Sequence, residues 1–450
     1  MTSNDQQKPR KYILCTSDFS GCGFALQKVQ RHDGKHKGMV LVAYKPDGST
    51  LKDLEEEPKK VKMYKSTGKG LIDTIPLVDL MSRRKDFKDW FWVWDGNHNQ
   101  EENNILRKEG FKVIGGLEFA QKMEHDRAFT MNIMQSLGLV SPEFKEFKNV
   151  ADGVKFLQEN PDKAYVYKPN DADTSLTTVP DEELAREANT NMQEFIQAIG
   201  INDFVLQEKV KGVEVNVEYF CMNGVPVLAH GNLECKRRTN GDYGKPLGCA
   251  MDVSWVLPMD CKLVEMTVAK LKPLIKKLNY TGFADLNVII GDEGAYFLET
   301  CWRNGYNAHP TFFTTVSKQE YFSTMADMIE GIYDPVNWTR KGFGASITMR
   351  TDFPYPGLPI RYPEAIKDNV YLFDAKKSDN GEGVAMTGWS EDIAIITALE
   401  YDIESAFKAA LKNVEKVRYS GRDRRSDAHE VGYPTSPVSR YRALETMGLL

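Results

Sequence analysis

Two apolar runs near residue 290 lie so close together that they predict one pairing. Residues 282–291, "GFADLNVIIG", and 294–302, "GAYFLETCW", meet at the turn "GDEG", which makes them the two arms of an antiparallel hairpin. Side chains at i and i+2 face the same way, so Asp285 and Asn287 share a face, and the hairpin brings that face beside Glu299. Oxygen atoms gathered from two strands suit a hard cation such as Mg2+ carrying nucleotide phosphates. The same residues read equally well as a solvated strand end, and the hairpin alone does not choose.

The 450 residues exceed what one simple core needs and predict two to four packed units. A net charge of -6, with 27% charged and 41% hydrophobic residues, excludes a whole-surface nucleic-acid binder, which would need clustered Lys and Arg. A local basic site stays open. No apolar run reaches membrane-spanning length, and "MTSNDQQKPRK" is polar where a leader would be apolar, so a cytoplasmic protein without membrane or stable nucleic-acid partners is expected. The seven cysteines show no Cys-x-x-Cys spacing, which argues for reduced thiols rather than a disulfide framework or zinc site.

Along the chain, "KYILCTSDFSGCGFALQKVQ", "MVLVAY" and "DWFWVWDG" read as strands alternating with helical patterns, the mark of a parallel α/β sheet closing near residue 118. "HDRAFTMNIMQSLG" predicts a helix ended by Gly138. Alternation around Val213–Tyr219, followed by Asn223 and Gly224, predicts a second hairpin. After it, "ECKRRTNGDYGKPLGCAMD" reads as a long polar loop, mobile or ordered by ligand. Beyond residue 335, three strands and an amphipathic helix suggest a small α+β unit, with the polar tail as an arm packed on the body.

Arg127 at a helix start, Lys168 at a strand end, "QEKVKGVE", Asp285/Asn287 and Glu299 follow one another in the layout of an ATP-grasp nucleotide cleft. The chain resembles the ATP-grasp superfamily, and within it phosphoribosylamine-glycine ligase. "TSDFSGCGFALQK", "GFKVIGGLEFAQKMEHDRAF", "ECKRRTNGDYGKPLGCAMD" and "VRYSGRDRRSDAH" are similar to that family's segments in the same order, to about residue 430. The resemblance implies an α/β and α+β multidomain chain. Residues 1–118 would be a Rossmann-like substrate domain, 119–335 the ATP-grasp nucleotide domain with a lid at about 140–205, 336–430 a small α+β domain and 431–450 a C-terminal arm.

The resemblance also assigns roles. Arg127 and Lys168 would bridge the ATP phosphates, Gln207 and Glu208 would line the adenine hinge, and Glu214 would accept from ribose hydroxyls. Thr174 and Ser175 would donate to phosphate, because "KPNDADTSLTTVP" lacks the family's glycine repeat. Glu299 with Asn287 or Asp285 would hold Mg2+, or Mn2+ in its place. Where the family reads Glu-x-Asn-x-Arg this chain has Glu299, Cys301 and Arg303; a thiol suits Mg2+ poorly, so Asn304 or Asn307 is the substitute oxygen donor. Arg303 would neutralise the transferred phosphoryl group or the acyl phosphate. Lys236, Arg237 and Asp242 are the candidates for contacts to the activated acid. His309, before a proline, reads as a turn residue or a general base, and His98 is equally ambiguous.

The resemblance implies an ATP- and Mg2+-dependent carboxylate–amine ligase that activates glycine or a similar small amino acid as an acyl phosphate and couples it to an amine, as monomer or homodimer. The amine-side segments "DGNHNQ" and "TSDFSGCGF" depart from the family, leaving open a different amine such as a modified nucleotide. Cys301 and the missing glycine repeat leave open a weakened nucleotide-binding regulator.

Overall fold

The computed structural model describes residues 9–16, 22–31, 40–44, 67–97, 99–170, 178–180, 184–373, 375–430 and 435–450. Thr174, Ser175 and His98 lie outside them. The chain forms two compact units. One comprises residues 1–121, 216–285 and 301–450, and the other residues 122–215 and 286–300.

The first unit begins with a parallel five-stranded sheet. Strands β1 (Tyr12–Thr16), β2 (Val40–Tyr44), β3 (Asp73–Pro76), β4 (Phe91–Trp94) and β5 (Lys112–Ile114) lie in the order β3-β2-β1-β4-β5. β1 and β4 are buried along their whole length, as a sheet covered on both faces requires. Helices Cys22–Arg31, Leu77–Ser82 and Gln100–Lys108 make the crossovers.

The second unit is built on an antiparallel sheet of β6 (Phe144–Phe147), β7 (Tyr165–Pro169) and β8 (Phe204–Glu208), ordered β6-β8-β7. The alternation in β7 puts Tyr165 and Tyr167 inward with Phe147, Phe204 and Leu206, packed on Leu157, Met192 and Ile196 of helices Val150–Glu159 and Ala185–Ile199. The opposite face carries Val166 and Lys168, which pair across to Gln207 and Val205. Helix Arg127–Ser136 opens on Asp126, whose carboxylate accepts from the Phe129 N–H, and closes before Gly138.

Strand β9 (Val213–Met222) returns the chain to the first unit and pairs with β10 (Val225–Thr239). Asn223 and Gly224 turn between them at φ 51° and 77°, left-handed values that an Asn-Gly hairpin turn supplies cheaply. β10 then pairs with β11 (Tyr243–Leu257). The segment expected to be a mobile or ligand-ordered loop is therefore an ordered hairpin, turned at Asn240–Asp242. Its reason lies far along the chain: the buried Arg425 guanidinium binds Asp427 (2.6 Å), the Arg237 carbonyl (3.2 Å) and Asp242, while Asp427 accepts from the Gly241 N–H at 2.7 Å.

After β11 come β12 (Gly282–Gly291) and β13 (Gly294–Glu299), then β14 (Phe343–Arg350), β15 (Pro359–Ile360), β16 (Val370–Leu372), β17 (Ala375–Lys377), β18 (Val384–Met386) and β19 (Asp392–Glu400). In the first unit the sheet runs β9-β10-β11-β14-β19-β16, with a small sheet β15-β18-β17 beside it in sequence. Helix Ile403–Val414, capped by Asp402, buries Phe407 and Ala410. The C-terminal residues form helix Pro437–Thr446, whose Tyr441 packs edge-on against Trp255 and Phe343.

Candidate active site

In the second unit the hairpin β12–β13 places Asn287 directly opposite Glu299. A bulge follows Asn287, so the regular register resumes only at Val288 and Phe297. The buried Asn287 amide nitrogen donates to Glu299 Oε1 at 3.3 Å and to Glu214 Oε1 at 3.2 Å. Two carboxylates and a carboxamide thus converge, one of them from β9. Asn287 Oδ1 is buried without a hydrogen-bond partner among the described residues.

Arg127 belongs to the same cluster. Burial pulls its guanidinium below the ordinary arginine value, and the negative charge of Glu299 opposes that shift. Its Nη1 is buried with no hydrogen-bond partner among the described residues, and so is Gln207 Nε2. Buried polar atoms left in this state cost free energy unless a ligand satisfies them. The donor set fits a nucleotide and a hard cation: carboxylate oxygens and a spare amide oxygen for the metal, cationic and amide donors for phosphate and base.

The remaining predicted residues of this unit divide by sheet face. Lys168 and Gln207 stand on the face away from the helices, whereas Glu208 turns to the other side and pairs with Lys163 at 2.9 Å, which also binds Glu143 at 2.6 Å. The Glu208 N–H donates to the Glu143 carbonyl at 2.8 Å. Between Gln207 and Glu214 the backbone passes close to β12: a Cβ on Gly212, at φ +155°, would lie 2.3 Å from the Ile290 carbonyl oxygen. Gly212→Ala is expected to cost about 1–3 kcal/mol of stability through that overlap; a chemical-denaturation midpoint equal to wild type would refute it.

In the first unit, residues 301–305 form a tied turn. The Asp285 carboxylate accepts from the Cys301 N–H, and the Asp285 N–H donates to the Cys301 carbonyl at 2.8 Å. Arg303 donates to the Asn304 carbonyl at 3.0 Å and lies over the Tyr306 ring at 4.7 Å. Asn304 is buried and donates to the Tyr321 hydroxyl, while Asn307 donates to Thr348 Oγ1 at 2.8 Å. In the β10–β11 hairpin, Arg237 donates to the Gly244 carbonyl at 3.1 Å, and Asp242 is bound by Arg425. Lys236 is half-buried on β10.

Glu214, assigned by resemblance to ribose, sits against Asn287, a contact between strands that the sequence did not announce. His309 is no turn residue: it lies in helix Ala308–Thr314, fully buried beside Glu218 and His230. Alternation in β9 and β10, which pairs Glu218 with His230, was the available signal for part of that cluster.

Residues 125–306 match the family of the phosphoribosylglycinamide synthetase ATP-grasp (A) domain. That segment is an ATP-grasp domain. The match ends just past Gly305 and encloses Arg127, Glu214, Asn287, Glu299 and Arg303. Over 339 residues the chain is 22% identical to the phosphoribosylamine–glycine ligase of Chlorobaculum tepidum, covering 71% of this chain and 78% of that one. The enzyme of the same name from Fusobacterium nucleatum is 20% identical over 349 residues, 73% of this chain and 78% of that one.

In fold, the chain is similar to the phosphoribosylamine–glycine ligase of Thermotoga maritima, with a TM-score of 0.65 at 16% identity over 93% of this chain and 99% of that one. It is also similar to the biotin carboxylase domain of the Hydrogenobacter thermophilus 2-oxoglutarate carboxylase, solved with MgADP and bicarbonate, at TM-score 0.62 and 12% identity, covering 97% of each chain. Its architecture is therefore the ATP-grasp fold with mixed α/β content. Among the described residues no helix is long and apolar enough to cross a membrane.

Proposed function

We propose that this ligase uses ATP to activate glycine or a similar small amino acid and couples it to an amine. The observation that carries the reading is the convergence of Glu214 and Glu299 on Asn287, with Arg127 electrostatically linked to Glu299. In the reaction, a carboxylate oxygen of the amino acid attacks the γ-phosphorus, the bond to the bridging oxygen breaks, and ADP leaves. The amine nitrogen then attacks the acyl carbon, the bond to the phosphate oxygen breaks, and phosphate and a proton depart.

Asn287 and Glu299 would hold Mg2+, with Mn2+ as a substitute, and the ion's contribution is to neutralise phosphate charge, while Glu214 beside them would accept from ribose hydroxyls. Arg127 and Lys168 bind phosphate oxygens, their charge strengthened by partial burial. Gln207 offers its unpartnered amide nitrogen to the nucleotide, and Glu208 contributes through its backbone. Arg303 neutralises charge on the group in transfer. Asp285, a candidate for the metal, already accepts from the Cys301 N–H, and we assign it to that turn; Asn304 donates its amide nitrogen to Tyr321 and keeps a buried Oδ1 without a hydrogen-bond partner among the described residues, so it stays a candidate oxygen donor. Lys236 and Arg237 are the proposed contacts of the activated acid, with Asp242 fixing their hairpin. Thr174 and Ser175 are kept as phosphate donors on their side-chain chemistry alone.

We carry the linear division as part of the same reading. The parallel sheet through residue 118 is Rossmann-like and holds substrate, residues 119–335 bind nucleotide with a lid at about 140–205, residues 336–430 are a small α+β domain, and 431–450 is an arm. A cytoplasmic location, small-molecule partners and a monomeric or homodimeric state belong to this reading as well.

A second reading keeps the chemistry and changes the amine. Its support is local: Asp95 and Asn97, in the segment that departs from the family, are both buried. Mass spectrometry of products formed from ATP, Mg2+, glycine and a panel of amines decides. Glycinamide ribonucleotide from phosphoribosylamine supports the first reading and another amide the second. No ADP across the panel sinks both in favour of a nucleotide-binding regulator.

A further inference from the structure

The turn that carries Arg303 rests on a buried imidazole. Gly305 N–H donates to His309 Nδ1 at 2.7 Å. Gly305 also presses against Glu218, since a Cβ there would lie 2.8 Å from Glu218 Oε1 and 3.4 Å from His309 Nδ1. His309 and Glu218 are 0% and 1% exposed. The ring is held between the Phe220 ring, stacked at 5.7 Å, and Phe283 at 4.6 Å. A ring so confined has one orientation, and the hydrogen bond it accepts sets where Gly305 sits.

We propose that His309 is a positioning residue for Arg303, its Nδ1 anchoring the Gly305 N–H and with it the 301–305 turn. This rests on the reading of Arg303 as the charge-neutralising group. The turn is then fixed at both ends, by Asp285 on the Cys301 N–H and by His309 on the Gly305 N–H, with Arg303 between. Burial, then His230 and Arg303, push the His309 pKa well below the ordinary histidine value, so the imidazole stays neutral and keeps a lone pair for the Gly305 N–H. Burial and neighbouring carboxylates push Glu218 the other way.

Glu218, His230 and His309 also bring one ligand atom each within 4.8 Å of one another, the donor types of a transition-metal centre. The Gly305 hydrogen bond decides against that use. It spends the Nδ1 lone pair and places the proton on Nε2, so a neutral His309 has no nitrogen left for a cation.

The test compares His309→Asn with His309→Gln in the full-length protein. Asparagine carries its oxygen near the position of Nδ1, whereas glutamine reaches toward Nε2. With ATP, Mg2+, glycine and phosphoribosylamine, His309→Gln is expected to lose about 30-fold in kcat, since small misplacements of a reacting group cost up to about 100-fold. Its KM for ATP should stay within about twofold, and His309→Asn should recover most of kcat. Hydrogen exchange of a peptide spanning 301–305 should speed up about tenfold in Gln and return toward wild type in Asn, because opening that hydrogen bond exposes the amide.

Equal behaviour of the two variants, or unchanged kcat and exchange in Gln, overturns the proposal. One bound equivalent of zinc in wild-type protein, lost in either variant, overturns it in favour of a metal centre. If wild-type protein turns over none of this substrate pair, the functional reading for that pair fails, while the exchange measurement still decides the role of His309.

Discussion

Glu299→Gln is expected to lower ADP formation by about 100-fold or more and to raise the Mg2+ concentration giving half-maximal rate by about tenfold. The substitution keeps shape and removes one negative charge from a cluster that also contains Glu214, Asn287 and Arg127. Two effects add. The cation loses a charged oxygen donor, which matters because Mg2+ binds through few protein ligands and depends on each. Arg127 loses the carboxylate that offsets its burial, and an uncompensated buried cation is costly. Combining Glu299→Gln with Arg127→Met should therefore cost less in folding stability than the sum of the two single changes. Steady-state rates against Mg2+ concentration and denaturation of the four proteins check both halves. Unchanged rate and Mg2+ dependence in Glu299→Gln would remove the cluster from the reaction.

Arg425→Ala is expected to destabilise the first unit by about 3–5 kcal/mol, the usual cost of leaving buried charge unpaired. Arg425 is 1% exposed and ties the 240–242 turn to residue 427 through Asp242, Asp427 and the Arg237 carbonyl. Burial works against its charge, yet the carboxylates around it hold its pKa above the ordinary value. Burial works on Asp427 in the opposite sense to the Arg425 and Gly241 hydrogen bonds, and the net result is a depressed pKa. A depressed carboxylate stabilises the fold above its unfolded value, near pH 4, and loses that contribution as pH falls through the folded value. The stability gap between wild type and Arg425→Ala should accordingly narrow below about pH 4. Thermal unfolding at pH 7 and at pH 3 tests the sign, and a gap that widens on acidification would refute it.

The hairpins were legible because their causes are local. Asn223–Gly224 turns β9 into β10, and "GDEG" turns β12 into β13, as the residues at those positions require. Strand period and turn length bring Asn287 to the neighbourhood of Glu299, but the direct pairing needs the bulge after Asn287, since the regular register would set Asn287 opposite Leu298. The 234–252 segment misled because its glycines and charges resemble a loop. What orders it is a guanidinium nearly two hundred residues away, and no short window contains both.

By itself, then, the sequence determined the alternating elements, the two turns and the strand pairing that brings Asn287 near Glu299, since backbone periodicity and turn chemistry act between neighbours in the chain. Only the tertiary structure decided that Glu214 joins that pair from another strand, that Arg425 orders a distant hairpin, and that His309 lies buried under the Arg303 turn. Those contacts depend on which non-neighbouring strands and helices pack together, and that choice is made by the burial of the whole chain rather than by any stretch of it.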